Sequence, residues 1–474
     1  MIDPDNESEV FTIMKKKMIA GIMAAALLAG CGAQAGELIG EHPEEPAVRN
    51  EENEKPGESG NSGETPFVSE GTVNLTEGAE VINVNFEEGD YEEEWIRSLS
   101  GASMNMLVGV STAEGEGKNI LISPTSIMTA FGMAENGANG ETLEQMENVI
   151  GGGVTREQMN QILYSMSRHL ENSEDVEWNV ANSIWFNDNG EFKVVPDFAA
   201  YAKTYYNADI WSAPFGPETI NDINGWVNNE TRGMIPTIIN ELDPDAKMFL
   251  VNAMAFEGEW ENEYEEGDIC ENQIFTNYNG STSEVTMLFS EESGYFRYGG
   301  GIGFTRPYEG GEYSFFAILP DEGVSVEEMI AKANEEGDDL SHDLTHLKRY
   351  DGDIYVYIPE FKNDYELKMN QVLQDLGITT AFDPVTADFT SMMQPVEDVE
   401  SQIWISSVIH KTFIEVNREG TRAAAVTGMM MDATCALEEY HEPMIINLNR
   451  PFVYGIVDNE TGLPIFVGYL NTID

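Results

Sequence analysis

Cysteine is scarce in this chain. Its 474 residues include only three cysteines, Cys31, Cys270 and Cys435, and these lie far apart in the sequence. So few and so scattered, they exclude a disulfide framework and a Cys-x-x-Cys metal site. The sequence therefore gives no reason to expect a metal ion or any other cofactor.

Basic residues are also scarce. The chain has 24 Lys and Arg against 85 Asp and Glu, which gives a formal net charge of −61 and an isoelectric point near 4.1. This charge argues against nucleic acids and anionic membrane surfaces as partners. Two interpretations of the acidity stay open: it attracts basic proteins, or it only keeps the molecule dispersed in solution.

Catalytic motifs are missing as well. The six histidines are scattered, and the chain has no His-Glu-x-x-His motif, no Gly-x-Ser-x-Gly motif and no phosphate-binding glycine loop. Acidic residues are so numerous that their spacing singles out no catalytic pair. The sequence therefore predicts that this protein is not an enzyme.

The N-terminal region has the features of a secretory signal. Three lysines at residues 15–17 precede an apolar run at residues 18–29 and then small residues. Leu28-Ala-Gly-Cys31 resembles a bacterial lipoprotein box. That resemblance implies cleavage before Cys31 and a lipid on its thiol, which would anchor the protein at the cell surface. The alternative is a short buried helix.

Residues 1–31 are therefore predicted to be a signal peptide, and residues 32–91 an acidic linker. The linker is rich in Glu, Gly, Ser, Asn and Pro up to about Glu70, a composition typical of disordered, self-repelling segments. Such a tether would hold a folded domain, residues 92–474, away from the envelope. Cleavage within the linker would release a soluble extracellular protein.

Helices and strands are mixed in the folded region. Asn119-Ile-Leu-Ile122 is typical of a short buried strand, and Ser123-Pro124 of a helix start. Met248-Phe-Leu-Val-Asn-Ala-Met-Ala-Phe256 predicts a strand that is covered on both faces, and residues 368–376 predict a helix that ends at Gly377. The pattern predicts a domain that contains both helices and strands.

Residues 411–444 are unusual because they combine a strand, a hinge and a loop. A strand pattern at 412–416 leads to Gly420, where a residue without Cβ can absorb a large change in backbone angles. The following residues, 421–431, contain no proline and one charge, Arg422. At the strand period of two, one face of this run is uncharged, from Thr421 to Met431. The pattern predicts a strand that can move.

These residues resemble the hinge and reactive-centre loop of the serpin family. Three other segments are similar to serpin segments: Asn119-Ile-Leu-Ile-Ser-Pro-Thr-Ser-Ile127, Gly258-Glu-Trp260 and the tail from Asn449-Arg-Pro-Phe-Val453 to Tyr469. The resemblance covers residues 92–473. It implies the serpin fold, an α+β fold that has mixed β-sheets with a large central sheet A, about eight or nine surrounding helices and an exposed reactive-centre loop.

The resemblance also implies roles for particular residues. The hinge would comprise Glu419, Gly420, Thr421, Ala423, Ala424 and Ala425. The polar cluster where sheet A parts, known as the shutter, would comprise Ser123, Ser126, Asn252 and His410. Trp260 would lie in the breach, where the loop first inserts. Family spacing places the cleaved bond between Thr434 and Cys435, with cleavage after Ala433 or Met431 as alternatives.

The function implied is inhibition of serine proteases by a suicide-substrate mechanism. Thr, Ala and Met at the cleaved bond favour elastase-like or subtilisin-like targets, and cysteine proteases are possible partners. We expect a monomer that meets a membrane only through the lipid on Cys31. The alternatives are a non-inhibitory serpin that acts as a binding module and an unrelated surface lipoprotein. Arg418, where many inhibitory members carry an acidic residue, is a departure from the family pattern.

Overall fold

The computed structural model describes residues 68–84, 89, 91–173, 175–188, 190–396, 402–421 and 441–473. Within these residues nine α-helices occur. They are α1 Glu93–Glu114, α2 Pro124–Glu135, α3 Gly140–Val149, α4 Arg156–Asn172, α5 Pro196–Tyr206, α6 Pro217–Glu230, α7 Val326–Glu336, α8 Leu340–Thr345 and α9 Asn370–Leu376. None of these helices is both long enough and apolar enough to cross a membrane.

The strands of the first half of the chain are numbered in chain order. They are β1 Val73–Asn74, β2 Ile120–Ile122, β3 Val176–Asn187, β4 Phe192–Val194, β5 Asp209–Ala213, β6 Met248–Glu259, β7 Ile269–Thr276, β8 Thr282–Glu292, β9 Phe296–Tyr298 and β10 Gly301–Pro307. Those of the second half are β11 Tyr313–Pro320, β12 Ile354–Pro359, β13 Phe361–Lys368, β14 Met393–Pro395, β15 Ile405–Val416, β16 Gly420–Thr421, β17 Met444–Asn447, β18 Phe452–Asp458 and β19 Pro464–Leu470.

These strands form three large sheets and one small one. Sheet A has seven strands in the order β1-β5-β3-β6-β16-β15-β13, and sheet B has six in the order β2-β19-β18-β11-β10-β9. Sheet C has four in the order β17-β12-β8-β7, and β14 pairs with β4. Sheet A contains both parallel and antiparallel neighbours, since β3 is antiparallel to β6 while β15 is parallel to it.

Local sequence explains the start of α2. Ser123 has extended backbone angles and its Oγ accepts a hydrogen bond from the Ser126 N–H, while Pro124 occupies the first helical position. β2 directly before it is fully buried, as its three apolar residues predict. The helix begins against sheet A, because the N–H of Ser123 donates to His410 of β15.

Both faces of sheet A are covered. The main core lies between one face, sheet B and the helices α1 and α2. A second cluster lies on the other face beneath α6, where the rings of Trp185 and Trp211 stack at 5.2 Å and Trp226 packs edge-on at 6.4 Å from Trp185. This double burial explains why the sequence of β6 is almost entirely apolar.

Two element boundaries differ from the sequence prediction. The predicted helix at 368–376 begins only at Asn370, because Lys368 closes β13 and pairs with Ile409 of β15. Ordered contacts also begin before residue 92, within the segment predicted as a linker. There β1 pairs with β5, and Asp222 of α6 accepts hydrogen bonds from the Ser69 N–H at 3.0 Å and from the Thr72 hydroxyl at 2.6 Å.

Candidate functional site

The predicted hinge lies in sheet A between β6 and β15. Gly420 is opposite Glu259 of β6, and Thr421 is opposite both Gly258 of β6 and Val416 of β15. Beyond this point β6 and β15 pair directly with each other, in parallel. Gly420 and Thr421 thus separate β6 from β15 at one end of sheet A. We call the boundary between β6 and β15 the seam, and it is closed along the rest of its length.

Glycine is required at position 420 by a close backbone approach. A Cβ on Gly420 would lie 2.1 Å from the carbonyl oxygen of Gly258 and 2.8 Å from the Cα of Glu259. Such contacts are far inside van der Waals distance, so any side chain would push β16 away from β6. The hinge glycine therefore allows the chain to enter the narrow end of the gap between the two strands.

Thr421 is held in the sheet by a buried tyrosine. Its side chain is fully buried, and its hydroxyl lies 2.6 Å from the hydroxyl of Tyr308. The Tyr308 ring stacks on Trp260 with centroids 4.8 Å apart and planes 7° apart. Burial raises the pKa of Tyr308 far above its ordinary value, so the phenol stays protonated and can donate to Thr421.

Trp260 also fixes the turn that precedes β16. Its indole Nε1–H donates to the carbonyl of Asn417 at 3.0 Å, and its backbone N–H donates to the carbonyl of Glu419 at 3.2 Å. The side chain of Asn417 closes the turn, since its Oδ1 accepts from the N–H groups of Glu419 and Gly420. Trp260, predicted as a breach residue, therefore contacts the hinge directly.

A buried ion pair lies behind Trp260. Arg306 and Glu292 are 2.9 Å apart, and each side chain is 7% exposed. The guanidinium lies 4.2 Å from the Tyr264 ring centroid and 5.3 Å from that of Trp260. Burial raises the pKa of Glu292 although Arg306 opposes that change. The guanidinium of this ion pair therefore packs against the Trp260 ring, which stacks on Tyr308.

The predicted shutter residues meet where β6 and β15 pair directly. Asn252 and His410 are opposite each other in the parallel register, and Asn182 of β3 is opposite Asn252 on its other side. The Ser123 N–H donates to Nε2 of His410 at 3.0 Å. Asn252 donates its amide to Asn182. Ser123, Asn252 and His410 are thus brought together, and Ser126 joins them through the hydrogen bond that its N–H donates to Oγ of Ser123. No hydrogen bond joins Asn252 to His410 among the described residues.

His410 is neutral in this environment. The side chain is fully buried, and burial lowers its pKa from 6.5 to about 3. Because Nε2 accepts a hydrogen bond, the proton of the neutral ring is on Nδ1. Within the described part of the chain, Nδ1 has no hydrogen-bond partner.

Two further polar atoms of the cluster are unpaired. Among the described residues, Oδ1 of Asn252 and Oγ of Ser126 are buried and make no hydrogen bond. Each buried unpaired group costs about 1–3 kcal/mol. The cluster therefore retains hydrogen-bonding capacity on both sides of the seam, with a donor on β15 and an acceptor on β6.

Sequence reasoning did not identify Tyr308 or Asn182 as parts of this site. A single buried tyrosine before a Gly-Gly turn looks like any core aromatic residue, so only the contact with Thr421 reveals its position. Asn182 does leave a signal, because it is a polar residue inside a strand-like run. Its partner Asn252 becomes evident only from the register of β3 and β6.

Several predicted site residues lie outside the described residues. They are Cys31, Ala423, Ala424, Ala425, Met431, Ala433, Thr434 and Cys435. The third cysteine, Cys270, is half-buried and has a free thiol in β7. In the described ranges no group of three or more His, Cys, Asp and Glu side chains is placed to hold a metal ion.

Comparison with known proteins agrees with this geometry. The family profile described as "Serpin (serine protease inhibitor)" matches residues 99–473. Neuroserpin from Homo sapiens is 30% identical over 397 residues, which are 80% of this chain and 91% of the relative. The leukocyte elastase inhibitor from Xenopus tropicalis is 28% identical over 371 residues, 74% of this chain and 92% of the relative.

Solved structures give the same result. The native state of tengpin, a thermophilic serpin, is 38% identical with a TM-score of 0.77 and covers 85% of this chain and 100% of its own. Human thyroxine-binding globulin has a TM-score of 0.67 at 21% identity over 80% of this chain and 99% of its own, which shows a shared fold alone. The chain therefore belongs to the serpin family.

Proposed function

We propose that this protein inhibits serine proteases as a suicide substrate, by inserting its cleaved reactive-centre loop into sheet A. The observation that carries the proposal is the position of Thr421. The first residue after the hinge glycine is already a strand residue between β6 and β15, and it is fully buried. Insertion of the loop would extend a strand that has already begun.

The register of β16 indicates where the following residues would go. It is antiparallel to both neighbours, so each step of two residues along the loop moves two residues back along β6 and β15. Continued in this register, Thr427 would lie between Asn252 and His410. Its hydroxyl could then accept from Nδ1 of His410 and donate to Oδ1 of Asn252, both unpaired in the described part of the closed sheet.

The energy released would be large. About ten inserted residues would gain ladder hydrogen bonds at about 0.5–1.5 kcal/mol each. Burial of Met429 and Met431 would add about 1.5–3 kcal/mol each. This sum is comparable with the whole stability of many domains, about 5–15 kcal/mol. The uncleaved protein would therefore be kinetically trapped above its most stable state.

The chemistry of inhibition uses the protease's own nucleophile. Its serine hydroxyl attacks the carbonyl carbon of Thr434, the bond to the nitrogen of Cys435 breaks, and that nitrogen leaves with a proton as the new amine. The ester between Thr434 and the protease serine would normally be hydrolysed by water. Insertion of the loop before hydrolysis would carry the protease along and deform its active site.

The small or uncharged residues at the candidate bonds suit a shallow apolar specificity pocket. Thr434, Ala433 and Met431 therefore favour elastase-like or subtilisin-like proteases, with cysteine proteases as further candidates. The similarity to a leukocyte elastase inhibitor supports this class. We also propose that the protein is a monomer and that a lipid on Cys31 anchors it at a bacterial cell surface. The chain between Cys31 and the serpin domain would act as the tether.

Arg418 does not weigh against insertion. It is exposed, and its guanidinium lies 3.5 Å from the carboxylate of Glu360, outside the seam between β6 and β15. A non-inhibitory serpin that acts as a binding module is the alternative function. The two functions predict different results of cleavage. A protease would cut the binding module into two fragments and would then be released active.

The most direct test mixes the purified protein with pancreatic elastase. We expect an adduct, stable in denaturing gel electrophoresis, whose mass is the sum of the protease and the inhibitor without its C-terminal fragment. Mass spectrometry of that fragment should place its first residue at Cys435. Complete cleavage without any adduct would instead identify a substrate and favour the binding module.

Replacement of Thr421 by arginine should convert the inhibitor into a substrate. The arginine would have to be buried beside Tyr308, at a cost of several kcal/mol for an unpaired charge. Slower insertion would leave time for hydrolysis of the ester. We expect at least a tenfold rise in the number of inhibitor molecules consumed per protease molecule inactivated, measured by titration of residual protease activity, because about 1.4 kcal/mol on the insertion barrier changes its rate tenfold.

Two variants control for that substitution. Thr421→Ser keeps the hydroxyl beside Tyr308 and should inhibit like the wild type. Glu309→Arg introduces an arginine at an exposed turn next to Tyr308, where no burial is required. If Thr421→Arg inhibits as efficiently as Glu309→Arg, insertion does not start at this residue.

Acid should destabilise the closed sheet through His410. The native pKa is about 3 and the unfolded value is about 6.5, so between these values the unfolded chain binds one proton more. Stability must therefore fall as pH falls, by about 2 kcal/mol from about pH 7 to about pH 5. Chemical denaturation should show this loss in the wild type relative to His410→Gln. His441→Gln, which replaces an exposed histidine, is the matched control, and the acid-induced loss assigned to His410 must persist in it.

A further inference from the structure

Sheet A has an open edge beside a cavity, on the side of β3 that faces away from β6 and the hinge. β5 pairs with β3 only at Ser183–Asn187, although β3 begins at Val176. Residues 176–182 therefore have a strand neighbour, β6, on one side only among the described residues. Beside the part of β3 that β5 does not reach, a cavity of about 340 Å³ lies between this edge, α4 and the C-terminal ends of α5 and α6.

One wall of the cavity is apolar. Leu163 and Met166 of α4 and Met254 of β6 contribute to it, and each of these side chains is buried in the protein. Trp178 extends this wall and is itself fixed by ring contacts with Phe256 at 4.5 Å. The wall suits a ring or a short hydrocarbon chain.

The edge of β3 supplies an unsatisfied donor. Asn179 lines the cavity and is 2% exposed, yet its Nδ2 has no hydrogen-bond partner within the described residues. A buried amide without a partner is uncommon in folded proteins, because it costs about 1–3 kcal/mol. A ligand that placed a carbonyl or hydroxyl oxygen against this Nδ2 would remove that cost.

The charges near the cavity disfavour an anion. Glu230, at the end of α6, lines it, and burial raises the pKa of this carboxyl group above its ordinary value. Arg232, the cation in the lining, already forms an ion pair with Glu177. An added negative charge would meet a partly desolvated acid in a protein of net charge −61.

We propose that this cavity is a binding site for a small uncharged or cationic amphipathic molecule with an aromatic or alicyclic ring and an oxygen acceptor. The ring would lie on Leu163, Met166 and Met254, and the oxygen would accept from Asn179. The volume is at the lower end of the range for small-molecule sites, about 300–1,000 Å³. The site contains no hinge residue, and it meets the shutter at Asn182, which lines the cavity and accepts a hydrogen bond from Asn252.

Nile red is a suitable probe, because it is an uncharged aromatic dye with a carbonyl oxygen that fluoresces in apolar surroundings. Titration of the full-length protein should give saturable binding to one site. The anionic dye 8-anilinonaphthalene-1-sulfonate should bind at least tenfold more weakly. Absence of saturable Nile red binding, or tighter binding of the anionic dye, would overturn the proposal.

Matched tryptophan variants on α4 locate the site. Ser167 lines the cavity and Arg168 is exposed on the same helix. Ser167→Trp should fill the cavity and weaken Nile red binding at least tenfold, while Arg168→Trp should bind like the wild type. Equal affinities of the two variants would contradict the assignment. If Ser167→Trp melts well below the wild type, Thr129→Trp, which fills the cavity from α2, is used in place of Ser167→Trp.

Asn179→Leu tests the polar contact. Leucine is close to asparagine in size and removes the donor, so Nile red affinity should fall about two- to tenfold, as expected for one hydrogen bond. The thermal stability of this variant without dye should not fall, because an unpaired buried amide is removed. Unchanged affinity would show that the dye does not use Asn179 and would refute the proposed orientation.

Discussion

The seam between β6 and β15 is the feature on which the rest of this structure depends. The two strands are parallel neighbours with direct hydrogen bonds along most of their length, and they part only where Gly420 and Thr421 lie between them. Two groups of side chains lie along the seam. The ring stack of Trp260 and Tyr308 holds the parted end open, and the polar row from Asn182 through Asn252 to His410 lies across the closed part.

The closed part of the seam is not optimised for stability. An imidazole N–H and an amide oxygen are buried on opposite sides of it without partners among the described residues. A protein selected only for stability would replace such groups with apolar side chains, since unsatisfied buried polar atoms are costly. Their presence is understandable if a further strand is meant to lie between them, because a threonine hydroxyl can satisfy both groups at once.

Much of this could be predicted from the sequence, and the reasons differ from element to element. The serpin fold, which the family resemblance predicted, is confirmed. Local patterns predicted single elements, such as the long apolar strand β6 and the helix start at Ser123-Pro124. Contacts between distant segments leave no such local pattern. Tyr308 is 113 residues away from Thr421, and β1 joins sheet A although its surroundings are typical of a linker. The predicted role of Trp260 needed the family resemblance, since a lone tryptophan reads as a core residue.

The central claim is that the native fold stores free energy that one cut in the loop releases. Comparing the melting temperatures of the intact protein and of the protein cleaved at residues 431–435 tests this most directly. We expect the cleaved form to melt well above the intact form, because its loop has become a strand of sheet A. A cleaved form that melts at or below the temperature of the intact form would contradict it.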